Sequence, residues 1–492
     1  MTATDYAGIT EATLEQVRKA QTNGVTAGTG LVGYDLSGVV SLVPVNTPWF
    51  DRVARKPGDG SKAAVWRALL NVNNAQPNPF VGFDQGGGYI KVSEQDVLAP
   101  YVPVRVSGAV TRDAIDLAKN YADAKAIAVT STLMQWRIQE NKALLGGQAF
   151  ALPAIAAPVA VQSDAGGSIA ANASVAVRCC ARSGMNYYWG GSGLPSAAGG
   201  TATVTAGTNA AATHSVTATV PAVKGAVAYD WYVAGFYYTT TVVNVVTITS
   251  IPTGNAGSVP NLPDLYTIAP TGMPTVDLSF SANNAYNGLI ASCAGDYSST
   301  GLVTPGGGLN SGATFTSLNG GTLTGTAQGV TEIDNILLAL WNSAQCSPTA
   351  MLINGQEAQG IKAKIMQTNA AVTYLRAGEE GDRNGLIGGG SVAGYINGAS
   401  GGDRLDIVVD PHLPPGRIGF ITERVAYPNS GIANSFEARC LRDVSEFDYG
   451  AQLDTTPGAN GGPREVWDVS STETFINRFP VGCAWLTEIA AG

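Results

Sequence analysis

The chain has 492 residues, 45% of them hydrophobic and 13% charged, with a formal net charge of −9 and a pI near 4.9. That length predicts two or three cores rather than one. The acidic balance, with no run of Lys and Arg, excludes a protein that holds nucleic acid through a basic surface, and a charge content this far below the roughly 25% of ordinary domains leaves little to keep copies apart.

The start, "MTATDYAGITEATLEQVRKAQ", lacks the layout of a signal peptide. The longest uncharged stretches are rich in Gly, Thr, Asn and Pro, so no membrane span is expected. Cys179, Cys180, Cys293, Cys346, Cys440 and Cys483 show no C-x-x-C spacing, and His214 and His412 are the two histidines. Neither a zinc site nor a disulfide framework is expected, and a reducing compartment fits.

In chain order, "SKAAVWRALLNV" and "GGGYIKVSEQDV" read as two strands separated by a polar, Pro-rich excursion. Together they predict a long two-stranded arm, which is marginal in water by itself and so is expected to rest on something else, such as a neighbouring subunit. Thr111 to Leu145 then reads as one helix of about 50 Å, with Thr111 as N-cap and Asp113 in its first turn. One apolar stripe runs through Ile115, Ala118, Ala122, Ala126, Val129, Leu133 and Trp136, and a second through Ile127, Met134, Ile138 and Leu145. Gly146 and Gly147 are expected to stop it with a left-handed cap.

Between Ser183 and Thr331 the charged residues are Lys224, Asp230, Asp264, Asp277 and Asp296, so this block has a composition of its own. Within it Val216, Ala218 and Val220 share one strand face, as do Val227, Tyr229, Trp231 and Val233, and "TTTVVNVVTITSI" supplies a third strand. Strands at this spacing, with "PAVKGA" before "Y-x-W-Y", predict a small sandwich resembling a fibronectin type III or immunoglobulin-like module. Downstream, Thr331 is expected to cap a helix with Ile333, Ile336, Leu337 and Leu340 on one face. The strand "TAMLIN", another helix and a strand-rich tail follow.

Catalytic patterns fail in turn. Gly388, Gly390 and Ala393 satisfy G-x-G-x-x-A, but "RNGLI" is too short and polar for the strand that must precede a dinucleotide site. No P-loop exists, and "WGGSGLP" from Trp189 lacks the second spacing of a G-x-S-x-G elbow. His214 lies in an alternating strand and His412 between prolines, which suits a rigid turn better than a catalytic base. The pairs Glu379 with Glu380 and Asp403 with Asp406 read as solvated loop residues rather than an acid and its base. Glu140, Asn141 and Lys142, at the end of the long helix, read as solvated or intersubunit contacts.

The order arm, strand "YVPVRVSGAVT", helix ending "QENKALLGG", helix with "TAMLINGQEAQGI", and closing "F-x-x-x-x-P-x-x-x-A-W-L" from Phe475 through Pro480 to Leu486 resembles a tailed-phage major capsid protein of the HK97-like fold. Leu352, Ile353 and Asn354 resemble its axial domain. The fold class so implied is α+β, HK97-like, with an inserted β-sandwich. An N-terminal arm would cover 1–55, an E-loop hairpin 56–100, a peripheral domain 101–150 and 440–492 with its spine helix at 111–145, and an axial domain 326–439. The insertion would be 151–325, with an Ig-like β domain at about 200–280 on the outer face, and deletion of 163–277 is expected to leave assembly intact.

The resemblance implies hexamers and pentamers of an icosahedral shell around packaged double-stranded DNA, in a virion assembled in the host cytoplasm. The implied partners are the chain itself, a separate scaffolding protein, portal and decoration proteins, and DNA contacted non-specifically, with no membrane. It implies no enzyme, no catalytic residue, no metal and no cofactor. Because the arm-like region starts within the first 60 residues or so, no long cleaved prosegment is expected. Some relatives join an arm lysine to a neighbour's asparagine, and Lys62 and Lys91 lie in the arm without an assignable partner. The alternatives are an encapsulin-type nanocompartment shell and a surface binding protein that works through the Ig-like module.

Overall fold

The computed structural model describes residues 45–58, 60–71, 80, 83, 93–118, 123–197, 202–203, 213–253, 272–298, 301–305, 312–326, 329–368, 394–424, 434–453 and 463–491. The chain begins there with helix α1 (Pro48–Arg52) and strand β1 (Ala54–Pro57). The arm is β2 (Ala63–Asn71) with β3 (Ser93–Pro100), followed by β4 (Val102–Thr111), α2 (Arg112–Ala118) and α3 (Ala124–Gly146). Next come β5 (Val159–Ser163), β6 (Ser174–Val175), β7 (Val177–Arg182), α4 (Gly184–Trp189) and β8 (Ala202–Thr203). Strands β9 (Ser215–Thr219), β10 (Ala228–Val233), β11 (Phe236–Thr241) and β12 (Val245–Ile248) precede α5 (Leu289–Ala294). The hairpin β13 (Asp296–Ser298) and β14 (Gly301–Val303) leads to β15 (Thr314–Ser317) and α6 (Thr331–Ala344). The remainder is β16 (Ala350–Ile353), α7 (Gly355–Thr368), β17 (Gly394–Asn397), β18 (Asp403–Val409), β19 (Arg417–Ile421), β20 (Phe436–Leu453), β21 (Pro463–Asn477) and β22 (Ala484–Thr487).

Two sheets form the body. One has the order β1-β20-β21-β4, and its centre is the antiparallel ribbon of the two longest strands; the other is six-stranded, β15-β22-β19-β16-β18-β17. Helix α3 lies on the first sheet through Trp136, which packs with Trp467 and Val469. Helix α6 lies on the second, with Ile333, Ile336, Leu337 and Leu340 all buried as the 3.6-residue spacing requires.

The helix expected from 111 to 145 is two helices. Thr111 ends β4 and directly precedes α2, which has Asp113 in its first turn, while Asp123 caps α3, its carboxylate accepting from Lys125 N and Ala126 N at 3.0 Å each. An extended Asp that accepts from two first-turn amides starts a new helix at that point. The expected stripes also change, because Ile127 and Leu133 are exposed while Trp136, Ile138 and Leu145 are buried. Likewise Thr331 is the first residue of α6 and Val330 the cap, with no side-chain hydrogen bond.

The cap glycine Gly147 has φ −52°, so it is not left-handed. Its requirement is space: a Cβ there would come within 2.4 Å of Tyr286 O. Gly146 is equally close-packed, against Gly184.

"TTTVVNVVTITSI" is two strands, β11 and β12, rather than one. They close separate three-stranded sheets, β11-β10-β7 and β12-β9-β5, that share a core around Val216, Ala218, Tyr229 and Trp231. Two of these strands, β5 and β7, come from before the 200–280 stretch in which the module was expected. Val227 and Ala228 also belong to the central core of the body with Leu144, Leu352 and Trp485. Between them Arg417, 1% exposed on β19, donates through Nη2 to Ala226 O at 3.2 Å and Val227 O at 2.8 Å.

The module is therefore built into the body and shares its core with it. Deletion of 163–277 would strip acceptors from a buried guanidinium, a loss worth about 3–5 kcal/mol by itself, and would open the central core. The shortened chain is expected to be insoluble or to lack a cooperative melt; a native-like near-ultraviolet dichroism spectrum with a sharp transition would show the module to be separable.

Candidate functional site: the junction at the end of the long helix

The last turns of α3 carry Glu140, Asn141 and Lys142, and all three are buried. The solvated or intersubunit role expected for them is thus corrected. They are buried because three layers converge there: the strap of residues 47–57 on one side, the body sheets below, and α4 with the loop before α5 beside them.

Asn141 is the centre of one network. Its Oδ1 accepts from Phe50 N at 2.8 Å, and its Nδ2 donates to Asp410 Oδ2 at 3.1 Å and faces His412 Nδ1 at 3.2 Å. Asp410 also accepts from Trp49 N at 3.2 Å and His412 N at 2.8 Å, and His412 O accepts from Tyr188 OH at 2.6 Å. One amide side chain and one carboxylate thereby tie together the strap, the helix and the turn after β18. Apolar packing finishes the joint, with Trp49 edge-on to Phe436 and Phe475.

Glu140 is the centre of the second. Its Oε1 accepts from Tyr286 OH at 3.1 Å and lies 4.0 Å from Arg55 Nη1, while Arg55 Nη2 holds Glu473 Oε2. Burial first, and the neighbouring Glu473 second, push the Glu140 carboxyl well above the usual carboxylate range. Burial likewise pushes the Tyr286 phenol up.

The strap's basic residues are paired in succession with carboxylates of the body: Arg52 with Glu423, Arg55 with Glu473, and Lys56 with Glu437 at 2.8 Å. Burial works against Glu437, yet the bonds from Lys56 and Arg439 and the charge of Arg478 hold it below the usual range.

The remaining residues singled out in the sequence are scattered. His214 is buried in the module, bridged to Ile169, with Nδ1 3.5 Å from Asp164 Oδ1, in a different network from His412. Asp403 and Asp406 are exposed but lie on strand β18, not in a loop. They line an open cleft of about 530 Å³ with Arg52, Thr349 and Glu423, Asp406 being 3.9 Å from Arg52. Lys62 is exposed at the base of the arm. Lys91, Glu379, Glu380, Gly388, Gly390 and Ala393 lie outside the described residues. All six cysteines are buried and free of disulfides. Among the described residues no group of three or more His, Cys, Asp or Glu forms a metal site, and no helix is long and apolar enough to cross a membrane.

Sequence reasoning missed Asp410, Arg55, Glu473 and Tyr286. The signal for Glu473 was present in "SSTETFIN", where a charge falls in an otherwise buried strand, but nothing in the chain linked it to Glu140, 333 positions earlier.

A second feature is geometric. Strand β4 pairs with β21 along one side over its whole length and, among the described residues, with no strand on the other. Along that free side runs a groove of about 600 Å³ between residues 102–107 of β4, the flank of α3 at Gln135, Gln139 and Ala143, and Trp189.

The elements are thus those that the HK97-like resemblance implies, in the same order: hairpin arm, spine helix on a sheet of long strands, and a second sheet with two helices. No family model and no curated protein matches the chain. Among solved structures it is similar to the capsid asymmetric unit of cyanophage A-1(L), with 8% identity and TM-score 0.46 over 93% of this chain and 97% of that one. It is also similar to the capsid of Myoviridae phage XM1, at 7% and 0.40 over 94% and 100%. The holo-SrpI encapsulin complex from Synechococcus elongatus PCC 7942 matches at 10% and 0.37 over 96% and 95%. Identities and scores this low leave the architecture to rest on the chain's own elements.

Replacing Asn141 by Ala would orphan Phe50 N–H and one face of Asp410 together. Unmet buried groups of this kind cost about 1–3 kcal/mol each, so urea denaturation is expected to show a loss of about 2–4 kcal/mol, with Asn141→Leu no better despite its similar volume.

Proposed function

We propose that the chain is a major capsid protein, whose identical copies assemble through hexamers and pentamers into an icosahedral shell around packaged double-stranded DNA. Its place is the virion, assembled in the host cytoplasm. Scaffolding, portal and decoration proteins are its further partners, and DNA is contacted non-specifically.

The observation that carries this reading is the arm. Among the described residues strands β2 and β3 pair only with each other in the sheet sense, in a register running from Ala63 opposite Pro100 to Asn71 opposite Ser93. A two-stranded ribbon of this length is not stable alone in water, and it leaves Val65 60% exposed, with Phe80 and Phe83 exposed beyond it. The body presents the matching deficiency, a ten-residue strand edge in β4 with a groove beside it. Unpaired edges of this kind are covered in stable proteins, and different surfaces on the two sides of a contact generate rings or lattices rather than simple pairs. Function then resides in contacts between copies, and no residue is assigned a catalytic, metal or cofactor role.

Negative-stain microscopy of the purified chain is expected to show closed particles, and monodisperse monomers under every condition would refute the reading. Nucleic acid inside particles formed in the producing cell separates a genome container from a cellular nanocompartment. The exposed Val65 gives a sharper test: Val65→Lys should change subunit stability by no more than about 0.5 kcal/mol, as surface substitutions do, while lowering particle yield severalfold.

A further inference from the structure

We propose that Glu140 and Glu473 share a single proton in the folded subunit, and that this proton locks the strap of residues 47–57 onto the body. The inference is independent of what the subunit assembles into.

Both carboxylates are fully buried. The cation facing them is Arg55 of β1, whose Nη2 contacts Glu473 Oε2 while Nη1 is 4.0 Å from Glu140 Oε1. Tyr286 OH, from the loop before α5, donates to the same Glu140 oxygen. Strand β20 contributes Cys440, whose Sγ is 3.6 Å from Glu473 Oε2, and the exposed Asp443, 3.7 Å from Arg55 Nη2. From α1 and α3 come the rings of Phe50 and Trp136, against the Arg55 guanidinium at 5.4 and 5.7 Å.

These contacts leave two oxygens without a hydrogen-bond partner, Glu140 Oε2 and Glu473 Oε1. Buried acceptors are rarely left so. The two carboxyls interact directly, and one proton between them would give each an interaction that two carboxylates cannot make. Apart from the exposed Asp443, the guanidinium then faces one buried negative charge instead of two. The raised titration of Glu140 agrees with this arrangement.

The strap depends on the same residues. Arg55 sits on a four-residue strand that, among the described residues, pairs only with β20, and Phe50 N is bonded to Asn141, the residue after Glu140 along α3. Loss of the proton would put a second charge into the site and pull Arg55 between two acceptors. A carboxyl pair whose upper titration is raised by folding contributes stability below that titration and loses it as pH rises through it. This contribution to the strap's hold is present at low pH and lost toward high pH, opposite in sign to that of the Lys56–Glu437 pair, whose depressed carboxyl loses its contribution as pH falls. Because the strap leads through Pro57 into the arm at Ala63, the same proton sets the base of the arm.

The test is hydrogen–deuterium exchange of the strap peptide in the full chain across a pH series, corrected for intrinsic exchange. Wild-type protection at residues 47–57 is expected to fall at least about tenfold as the pair gives up its proton, a factor that corresponds to one unit of pKa. Glu140→Gln, whose side-chain amide donates permanently to Glu473, should stay protected and flat. Strap protection independent of pH in the wild type, or an unchanged pH slope in Glu140→Gln, would overturn the proposal. Glu357, whose carboxyl burial pushes up to about 7, bonds Gly416 N in another part of the body and is removed from the comparison with Glu357→Gln. Should Glu140→Gln fail to fold, infrared spectra of the Glu357→Gln chain carrying isotope-labelled glutamate decide the matter. A glutamic acid band persisting where ordinary carboxylates have ionised supports the shared proton, and its absence overturns it.

Discussion

The fold depends on one buried polar joint, the bond set of Asn141 with Phe50 N, Asp410 and His412. Four segments distant in sequence meet at that amide: the strap, the end of the long helix, the turn after β18 and, through Tyr188, the start of the β module. An apolar contact at this point would tolerate sliding, since dispersion and burial have no direction. A fully bonded amide does not, because any shift leaves a buried donor or acceptor unmet. The joint therefore fixes the angle at which the helix leaves the sheets.

Charge is used sparingly in this chain, which makes its placement informative. With 13% charged residues, the molecule still buries Glu140, Arg182, Asp230, Arg417, Glu437 and Glu473. Each of these carries contacts that cross between elements: Arg182 binds Asp230 from β7 to β10 at 2.7 Å, and Arg417 joins β19 to the module. Buried pairs of this kind add little net stability compared with apolar side chains of equal volume, but removing one partner is costly. Their effect is to penalise every packing except the one in which all partners are present. The surface is left poor in charge.

What the sequence revealed divides along the range of the interactions. Period-two and period-3.6 patterns, which are local, identified β9 and β10 through Val216 and Tyr229, the α6 face through Ile333 and Leu340, and the arm through its two β-rich runs. The order of these elements then carried the fold class. Local signals failed where a neighbour far along the chain decides the outcome. The stretch from Thr111 to Leu145 looked like one helix because nothing in its apolar spacing marks the new start that Asp123 caps. Gly147 looked left-handed because the approach of Tyr286 O is invisible at a separation of 139 positions. Glu140, Asn141 and Lys142 looked solvated for the same reason: polarity predicts exposure unless a partner is known, and their partners at 50, 410 and 473 are supplied only by the fold.

The interlocking of module and body also limits how the module can move. A domain joined by two linkers could be lost or replaced without disturbing the body. Here Val227 and Ala228 sit in the central core with Trp485, and Tyr229 OH bonds Glu488 just beyond β22. The outer strands of the module, among them β5 with Val159 and Val161 exposed, are thus held rigidly relative to the sheets that carry β4. Any contact made through those strands acts on the same rigid frame as the arm, so the module and the arm cannot be positioned independently of one another.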